Sequence, residues 1–107
     1  PAQTVAMMHN LMLRVGGGSF KRTYQRLRDF RVALDKLQAI TCPSLALVGE
    51  GEGKEPLAQS ERFCQHVTGP VRQHVFTREE GADGHCQAIN LAYSAAVSMD
   101  WLDEVFA

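Results

Sequence analysis

The chain has 107 residues, of which 45% are apolar and 21% are charged, and its formal net charge at pH 7 is −1. These proportions are typical of a soluble globular protein and exclude a disordered chain. No apolar run reaches the roughly 18 to 20 residues that a membrane-spanning helix needs, and we expect no secretory leader. At this length the chain is predicted to be one domain or part of one.

Three cysteines, Cys42, Cys64 and Cys86, are widely spaced, and no two of them form a C-x-x-C pair. An odd number at this spacing favours reduced thiols over a disulfide framework, so we expect a cytoplasmic protein. No histidine lies at metal-ligand spacing from a cysteine. We therefore predict no metal site.

Charge is distributed unevenly along the chain. Residues 1–41 carry seven basic and two acidic side chains, whereas residues 42–107 carry four basic and ten acidic ones. A basic helix without a platform of stacking aromatic residues does not suffice to predict nucleic-acid binding, and we expect neither a nucleic acid nor a membrane as partner. The basic residues are interpreted as a solvated helix face, and an arginine-rich lid or subunit contact is the alternative.

The first 39 residues are predicted to form two helices. Residues 2–15 are apolar on nearly all sides, which predicts burial between other elements. Three consecutive glycines end this helix, and Ser19 is suited to cap the next one. The second helix carries apolar residues at three- and four-residue steps, namely Phe20, Tyr24, Leu27, Phe30, Leu34 and Leu37.

Residues 40–107 alternate between strands and helices. We predict strands at about 44–48 and 71–76, and helices at about 57–67 and 87–106. Two short strands joined by one helix predict a parallel pair with a right-handed crossover. The predicted fold class is therefore α/β. Because two parallel strands do not make a stable sheet covered on both faces, we expect this unit to belong to a larger fold.

An acidic, glycine-rich turn, Gly49-Glu50-Gly51-Glu52-Gly53, follows the first predicted strand, and the loop Gly81-Ala82-Asp83-Gly84-His85-Cys86 follows the second. An acid after one strand and a histidine after the next form the second half of a Ser…Asp/Glu…His triad in α/β-hydrolase order. The carboxylate would orient the imidazole, and the imidazole would activate a serine hydroxyl. The glycines around Glu52, and Gly84 before His85, are suited to tight turns.

The candidates for the acid of this pair are Glu52, Glu50 and Asp83. Glu50 is also suited to a structural contact, and Asp83 to capping the turn or the following helix. A thiol nucleophile at Cys86 is disfavoured, because residues adjacent in the chain do not readily face each other across a reaction site. Ser19 opens a helix without a preceding strand, and the chain contains no G-x-S-x-G nucleophile elbow.

Residues 40–50, Ile-Thr-Cys-Pro-Ser-Leu-Ala-Leu-Val-Gly-Glu, resemble the α/β-hydrolase segment that leads to the catalytic acid. The strand of that superfamily typically ends Gly-Glu-x-Asp with a proline shortly after, and here Glu52 stands at the acid position before Pro56. The loop ending at His85 resembles the loop that delivers the catalytic histidine, and residues 100–102 resemble the end of the final helix. The chain is most similar to the esterase-like branch around the fermentation–respiration switch protein and pseudooxynicotine hydrolase.

This resemblance implies the C-terminal part of an α/β-hydrolase three-layer fold at residues 40–107, preceded at residues 1–39 by helices of a cap or lid region. It implies a serine hydrolase without a cofactor, acting on an ester, amide or related bond of a small-molecule substrate. His85 would be the base, Glu52 the acid, and the nucleophile would lie outside these residues.

We expect the chain to be ordered, and the site to be active, only beside the remainder of such a fold. That remainder would belong to the same protein or to a second chain, and a self-associated dimer would be its substitute. The alternatives are a non-catalytic, hydrolase-like interaction module and a regulatory domain that binds through the basic helix.

Overall fold

The computed structural model describes residues Pro1–Ala107 and contains five α-helices and one two-stranded sheet. The elements in chain order are α1 (Ala2–Val15), α2 (Phe20–Asp29), α3 (Leu34–Gln38), β1 (Ser44–Gly49), α4 (Lys54–His66), β2 (Val71–Phe76) and α5 (Leu91–Phe106). They form two compact units, Pro1–Ala33 and Leu34–Ala107. None of the helices combines the length and the apolar character that crossing a lipid bilayer requires.

The first unit is a helical hairpin whose helix ends are capped where α1 and α2 are joined. The Ser19 hydroxyl, in the connection, accepts a hydrogen bond from the Arg22 amide at 3.2 Å, which confirms the predicted cap of α2. Residues of α2 bind the end of α1: the buried Thr23 hydroxyl donates to the Gly16 carbonyl at 3.0 Å, and the Arg26 guanidinium donates to the Val15 carbonyl at 2.9 Å. These bonds satisfy carbonyls that the end of α1 would otherwise leave unpaired.

Two expectations for this half of the chain are wrong. No residue of α1 is buried, because a single partner helix covers only one side of it. The predicted second helix is interrupted: α2 ends at Asp29, Phe30 is extended, and α3 begins at Leu34. Leu37 is buried within the second unit. The apolar residues predicted to line one continuous helix, from Phe20 to Leu37, therefore belong to two different units.

The second unit is built on a parallel strand pair, as predicted. β1 pairs with β2 from Ser44 opposite Val71 to Gly49 opposite Phe76. Both strands end at the same edge of the sheet, so the residues that follow Gly49 and Phe76 leave the sheet side by side. α4 connects the strands, which gives the strand–helix–strand order of an α/β fold.

Helices cover both faces of β2. Successive side chains of a strand point to opposite faces. On one face Gln73 donates to the Ser60 hydroxyl of α4 at 2.8 Å. On the other, the Phe76 ring lies against Tyr93 of α5, with ring centroids 5.6 Å apart. The layers are therefore helix, sheet and helix, and the architecture is a small α/β fold.

The second unit begins at α3, whereas the sequence places a boundary at residues 39 and 40. Leu37 of α3 is 8% exposed. The Ile40 carbonyl accepts hydrogen bonds from the Thr68 and Gly69 amides at 3.1 and 3.0 Å, and the Thr68 hydroxyl donates to the Gln38 carbonyl. These bonds attach the end of α3 to the turn between α4 and β2.

We expect Phe76→Ala to lower the free energy of unfolding by about 3–5 kcal/mol, because Phe76 is fully buried between β2 and α5. The matched control is Phe106→Ala on α5, where the side chain is 82% exposed and a change within about 0.5 kcal/mol is expected. Urea unfolding followed by Trp101 fluorescence measures both. Equal losses would contradict the assignment of Phe76 to the core.

Candidate active site

Two turns at the carboxyl end of the sheet bring an acid and a histidine together. A 3₁₀ turn at Glu50–Glu52 follows β1 directly, and a second one at His85–Gln87 follows the loop after β2. Glu52 Oε1 lies 2.7 Å from His85 Nδ1. Among the three candidate acids, the structure therefore places Glu52 against the histidine ring.

The Glu52 carboxylate is held from two sides. Its Oε1 contacts His85, and its Oε2 accepts a hydrogen bond from the Gly49 amide at 3.0 Å. The bond to His85 first, and the bond from Gly49 second, lower the pKa of Glu52 below its ordinary value. A deprotonated carboxylate only accepts hydrogen bonds, so His85 Nδ1 carries the proton and donates it.

This contact orients an otherwise exposed imidazole. The Glu52 side chain is 16% exposed, whereas that of His85 is 85% exposed. The bond to Nδ1 leaves Nε2 on the opposite edge of the ring. In a Ser-His-Asp triad the acid binds Nδ1, and Nε2 exchanges the proton with the nucleophile, so the nitrogen used here is the one that such chemistry requires.

The other candidate acids hold the loops together. Glu50 Oε1 accepts a hydrogen bond from the Arg78 amide at 2.7 Å, which confirms the structural contact predicted for Glu50. The Asp83 carbonyl accepts from the Gly51 amide at 3.1 Å. The Asp83 side chain makes neither of the caps suggested for it, because the N-cap of the 3₁₀ turn is Gly84, without a side-chain hydrogen bond, and the Asn90 side chain caps α5.

Two glycines, one at the end of β1 and one in the turn after it, allow the chain there to approach the loop after β2. A methyl group at Gly49 would overlap the Asp83 carbonyl, and one at Gly51 would lie 2.6 Å from Asp83 Oδ2. Gly84 differs, since its φ is −77° and no atom lies within 4 Å of the position its Cβ would take. The tight turn expected at Gly84 is present, since its carbonyl accepts a hydrogen bond from the Gln87 amide at 3.0 Å, but its backbone angles do not require glycine.

The backbone after His85 adopts a conformation that sequence reasoning missed. Cys86 and Gln87 have φ values of 54° and 51°, in the left-handed region that residues other than glycine and asparagine rarely enter. The buried Gln87 side chain donates to the Gly84 carbonyl at 3.3 Å, which helps to hold this turn. Neither residue type signals a left-handed turn, so no local pattern could have indicated it.

The arrangement has the chemistry of an oriented general base. A neutral imidazole whose Nδ1 is fixed by a carboxylate accepts a proton at Nε2 from a hydroxyl placed beside it. No serine of the chain forms a hydrogen bond with His85, and no three His, Cys, Asp or Glu side chains are arranged to hold a metal ion. Comparisons of the chain with protein-family models, with curated proteins and with solved structures find no match.

We expect the pKa of Glu52 to lie below its ordinary value of 4.5 and to rise in His85→Ala, because the bond to His85 is the largest cause of the lowering. The control is Glu104, whose pKa is lowered by Arg72 and should not change in that variant. Carbon-13 NMR titration of the two carboxyl groups measures both.

The same shift predicts a pH dependence of stability. Since the folded-state pKa of Glu52 is depressed, the deprotonated carboxylate stabilises the fold above the unfolded-state pKa, and this contribution is lost as the pH falls through the folded-state value. Glu52→Gln should therefore weaken the acid dependence of unfolding. In the NMR titration, an unchanged pKa of Glu52 in His85→Ala would contradict the contact between Glu52 and His85.

We expect Gly49→Ala to destabilise the chain and to separate Glu52 from His85, because the added methyl group overlaps the Asp83 carbonyl. The loss in free energy of unfolding should be about 1–3 kcal/mol. Gly84→Ala is the matched control next to His85, and a change within about 0.5 kcal/mol is expected there. Urea unfolding and the Nδ1 proton resonance of His85 are the measurements, and a site that tolerates Gly49→Ala would refute the close approach.

Proposed function

We propose that the chain supplies the acid and the general base of a serine hydrolase, with Glu52 orienting His85 for a nucleophile outside residues 1–107. The observation that supports this most is the 2.7 Å contact between Glu52 Oε1 and His85 Nδ1. The order of the residues along the chain also supports it, since the acid precedes the histidine as in α/β-hydrolases.

The position of the pair in the fold is a second support. Glu52 and His85 follow neighbouring parallel strands at the carboxyl edge, where open α/β sheets bind their ligands. The Glu50–Arg78 and Gly51–Asp83 hydrogen bonds join the two loops independently of the pair. A base held in this way would keep its orientation while a substrate is exchanged, which general base catalysis requires.

In the proposed reaction, His85 Nε2 takes the proton of the serine hydroxyl as its oxygen attacks the carbonyl carbon of an ester, an amide or a related small molecule. The protonated ring then returns that proton to the leaving group. Glu52 stays deprotonated and stabilises the imidazolium, in keeping with the lowered pKa of its carboxyl group. The free thiols of the chain fit a cytoplasmic setting.

We further propose that β1 pairs with the remainder of a hydrolase sheet along its outer edge. The Ser44 amide donates to the Pro70 carbonyl, so the backbone groups of Ser44 and of alternate residues after it face β2. The backbone N–H and C=O groups of Leu45 and Leu47 face the outer edge of β1, away from β2. An open groove of about 420 Å³ runs beside this edge between β1 and α4, lined by Leu47 and Phe63 among others.

The alternative function, a non-catalytic interaction module, is favoured by this same unpaired edge. Edges without charged residues or proline invite pairing with another chain, and residues 44–48 contain neither. The two functions differ in what they require of His85. Only a hydrolase needs its imidazole for turnover, and edge pairing involves the backbone of β1.

Activity separates these functions in the full-length product of the gene, with p-nitrophenyl acetate as an activated ester. We expect His85→Ala to reduce kcat by roughly 10³-fold or more, and Glu52→Gln to reduce it strongly as well, since triad members act as a unit. The matched control is Glu104→Gln, which removes a carboxylate paired with Arg72 on the surface and should leave kcat unchanged.

Unchanged kcat in a folded His85→Ala variant would remove this residue from the catalytic role. Labelling by a fluorophosphonate gives an independent reading, because it reports an activated serine without relying on the choice of ester. A full-length protein that shows neither ester turnover nor labelling, yet binds a partner through β1, would instead establish the interaction module.

A further inference from the structure

The first unit, Pro1–Ala33, is strongly basic. It carries six basic side chains and one acidic side chain, Asp29, and five of the six basic residues lie between positions 21 and 31. No carboxylate side chain precedes Asp29 in the chain. The side chains of this unit therefore carry a net charge of +5 (six basic minus one acidic), and its electrostatic complement is an anionic surface.

Exposed apolar side chains form a stripe on the same unit. Tyr24 is 61% exposed, Leu27 is 40% exposed, and Phe30, directly after α2, is 79% exposed. Their three-residue spacing puts Tyr24 and Leu27 on one face of α2. Contacts between the two helices are made by the buried Thr23, by Arg26, which caps α1, and by Phe20, whose ring centroid lies 5.3 Å from that of His9. The Tyr24 and Phe30 side chains remain largely open to solvent.

Long cationic side chains border this stripe. Lys21 and Arg28 are exposed, lie seven residues apart and share one side of α2 next to the stripe. Such side chains extend their aliphatic stems along apolar surface while their charged ends stay in water. A short, strongly polar helix with lysine and arginine beside phenylalanine, tyrosine and leucine is the pattern of helices that lie in the plane of a membrane interface.

We propose that α2 and the residues that follow it to Val32 are a docking surface for an anionic phospholipid bilayer. Tyr24, Leu27 and Phe30 enter the boundary between headgroups and acyl chains, and Lys21 and Arg28 contact lipid phosphates. This proposal goes beyond the proposed hydrolase function and does not depend on it. It departs from the expectation, drawn from the sequence, that the protein has no membrane partner.

A nucleic acid would complement the charge but not the stripe. Its phosphates would pair with the cations, and its bases would stack on aromatic rings. The stripe, however, includes the aliphatic Leu27, and the aliphatic Val32, which is 49% exposed, follows it in the chain; neither side chain offers a ring for stacking. A lipid interface accepts aromatic and aliphatic side chains equally, so the composition of the stripe favours the bilayer.

Flotation of the 107-residue chain with vesicles tests the proposal. We expect binding to vesicles of equal parts phosphatidylcholine and phosphatidylglycerol, weaker binding as salt is added, and little binding to phosphatidylcholine alone. Because each basic residue near an anionic surface contributes about fivefold in affinity, Arg28→Glu should weaken binding by at least about fivefold. The matched control is Arg62→Glu on α4, another exposed arginine, which should have no such effect.

Phe30→Ser should weaken binding to the anionic vesicles by about tenfold, because the apolar ring is lost from the interface. The control is Phe106→Ser, at a phenylalanine that is 82% exposed on the acidic second unit. Circular dichroism monitors the helices, and Trp101 fluorescence monitors the fold of the second unit. Both positions are exposed, so these signals should match those of the parent chain.

Equal affinity for neutral and anionic vesicles would overturn the proposal, and so would the absence of binding to either. Loss of binding in Arg28→Glu without any loss in Phe30→Ser would also overturn it, because purely electrostatic attraction needs no insertion. Preferential binding of a single-stranded oligonucleotide over the anionic vesicles would assign the basic surface to nucleic acid instead.

Discussion

The site depends on how closely the chain after β1 approaches the loop after β2. The Gly51 amide donates to the Asp83 carbonyl, and neither Gly49 nor Gly51 leaves room for a side chain at this contact. The bond from the Arg78 amide to Glu50 joins the same two loops a second time. These contacts are made largely by backbone atoms, and they bring Glu52 within hydrogen-bonding distance of His85.

Within this frame the two members of the pair have different surroundings. The Glu52 side chain is partly buried and receives two donors, which lower the pKa of its carboxyl group and keep it deprotonated. His85 stands in solvent, its ring is oriented by the Glu52 carboxylate, and the left-handed residues Cys86 and Gln87 follow it directly in the chain. Left-handed residues other than glycine cost about 1 kcal/mol or more each and cluster at functional sites. The two strained residues, Cys86 and Gln87, therefore directly follow His85, whose ring is exposed to solvent.

Each of the two units is stabilised internally, and the main interactions differ between them. The second unit has a core between sheet and helices, with Val48 and Phe76 almost completely excluded from water. The first unit has little apolar burial, and its helices are joined by hydrogen bonds from Thr23 and Arg26 to the end of α1 and by the contact between the Phe20 and His9 rings. A hairpin stabilised in this way leaves Tyr24 and Phe30 available to an external surface.

The sequence by itself determined the α/β class, both strands and the cap at Ser19, because alternation of short apolar runs with helical periodicity is a local property. It also indicated that an acid and a histidine would meet, since parallel strands end at one edge. It did not decide which of three acids, Glu50, Glu52 or Asp83, would contact the histidine. Only the tertiary structure decided between them, because the choice depends on the Asp83 carbonyl and the Arg78 amide, which are far from Glu52 in the chain. The break between α2 and α3 also appears only in the tertiary structure, where Leu37 is buried in the second unit whereas α2 belongs to the first.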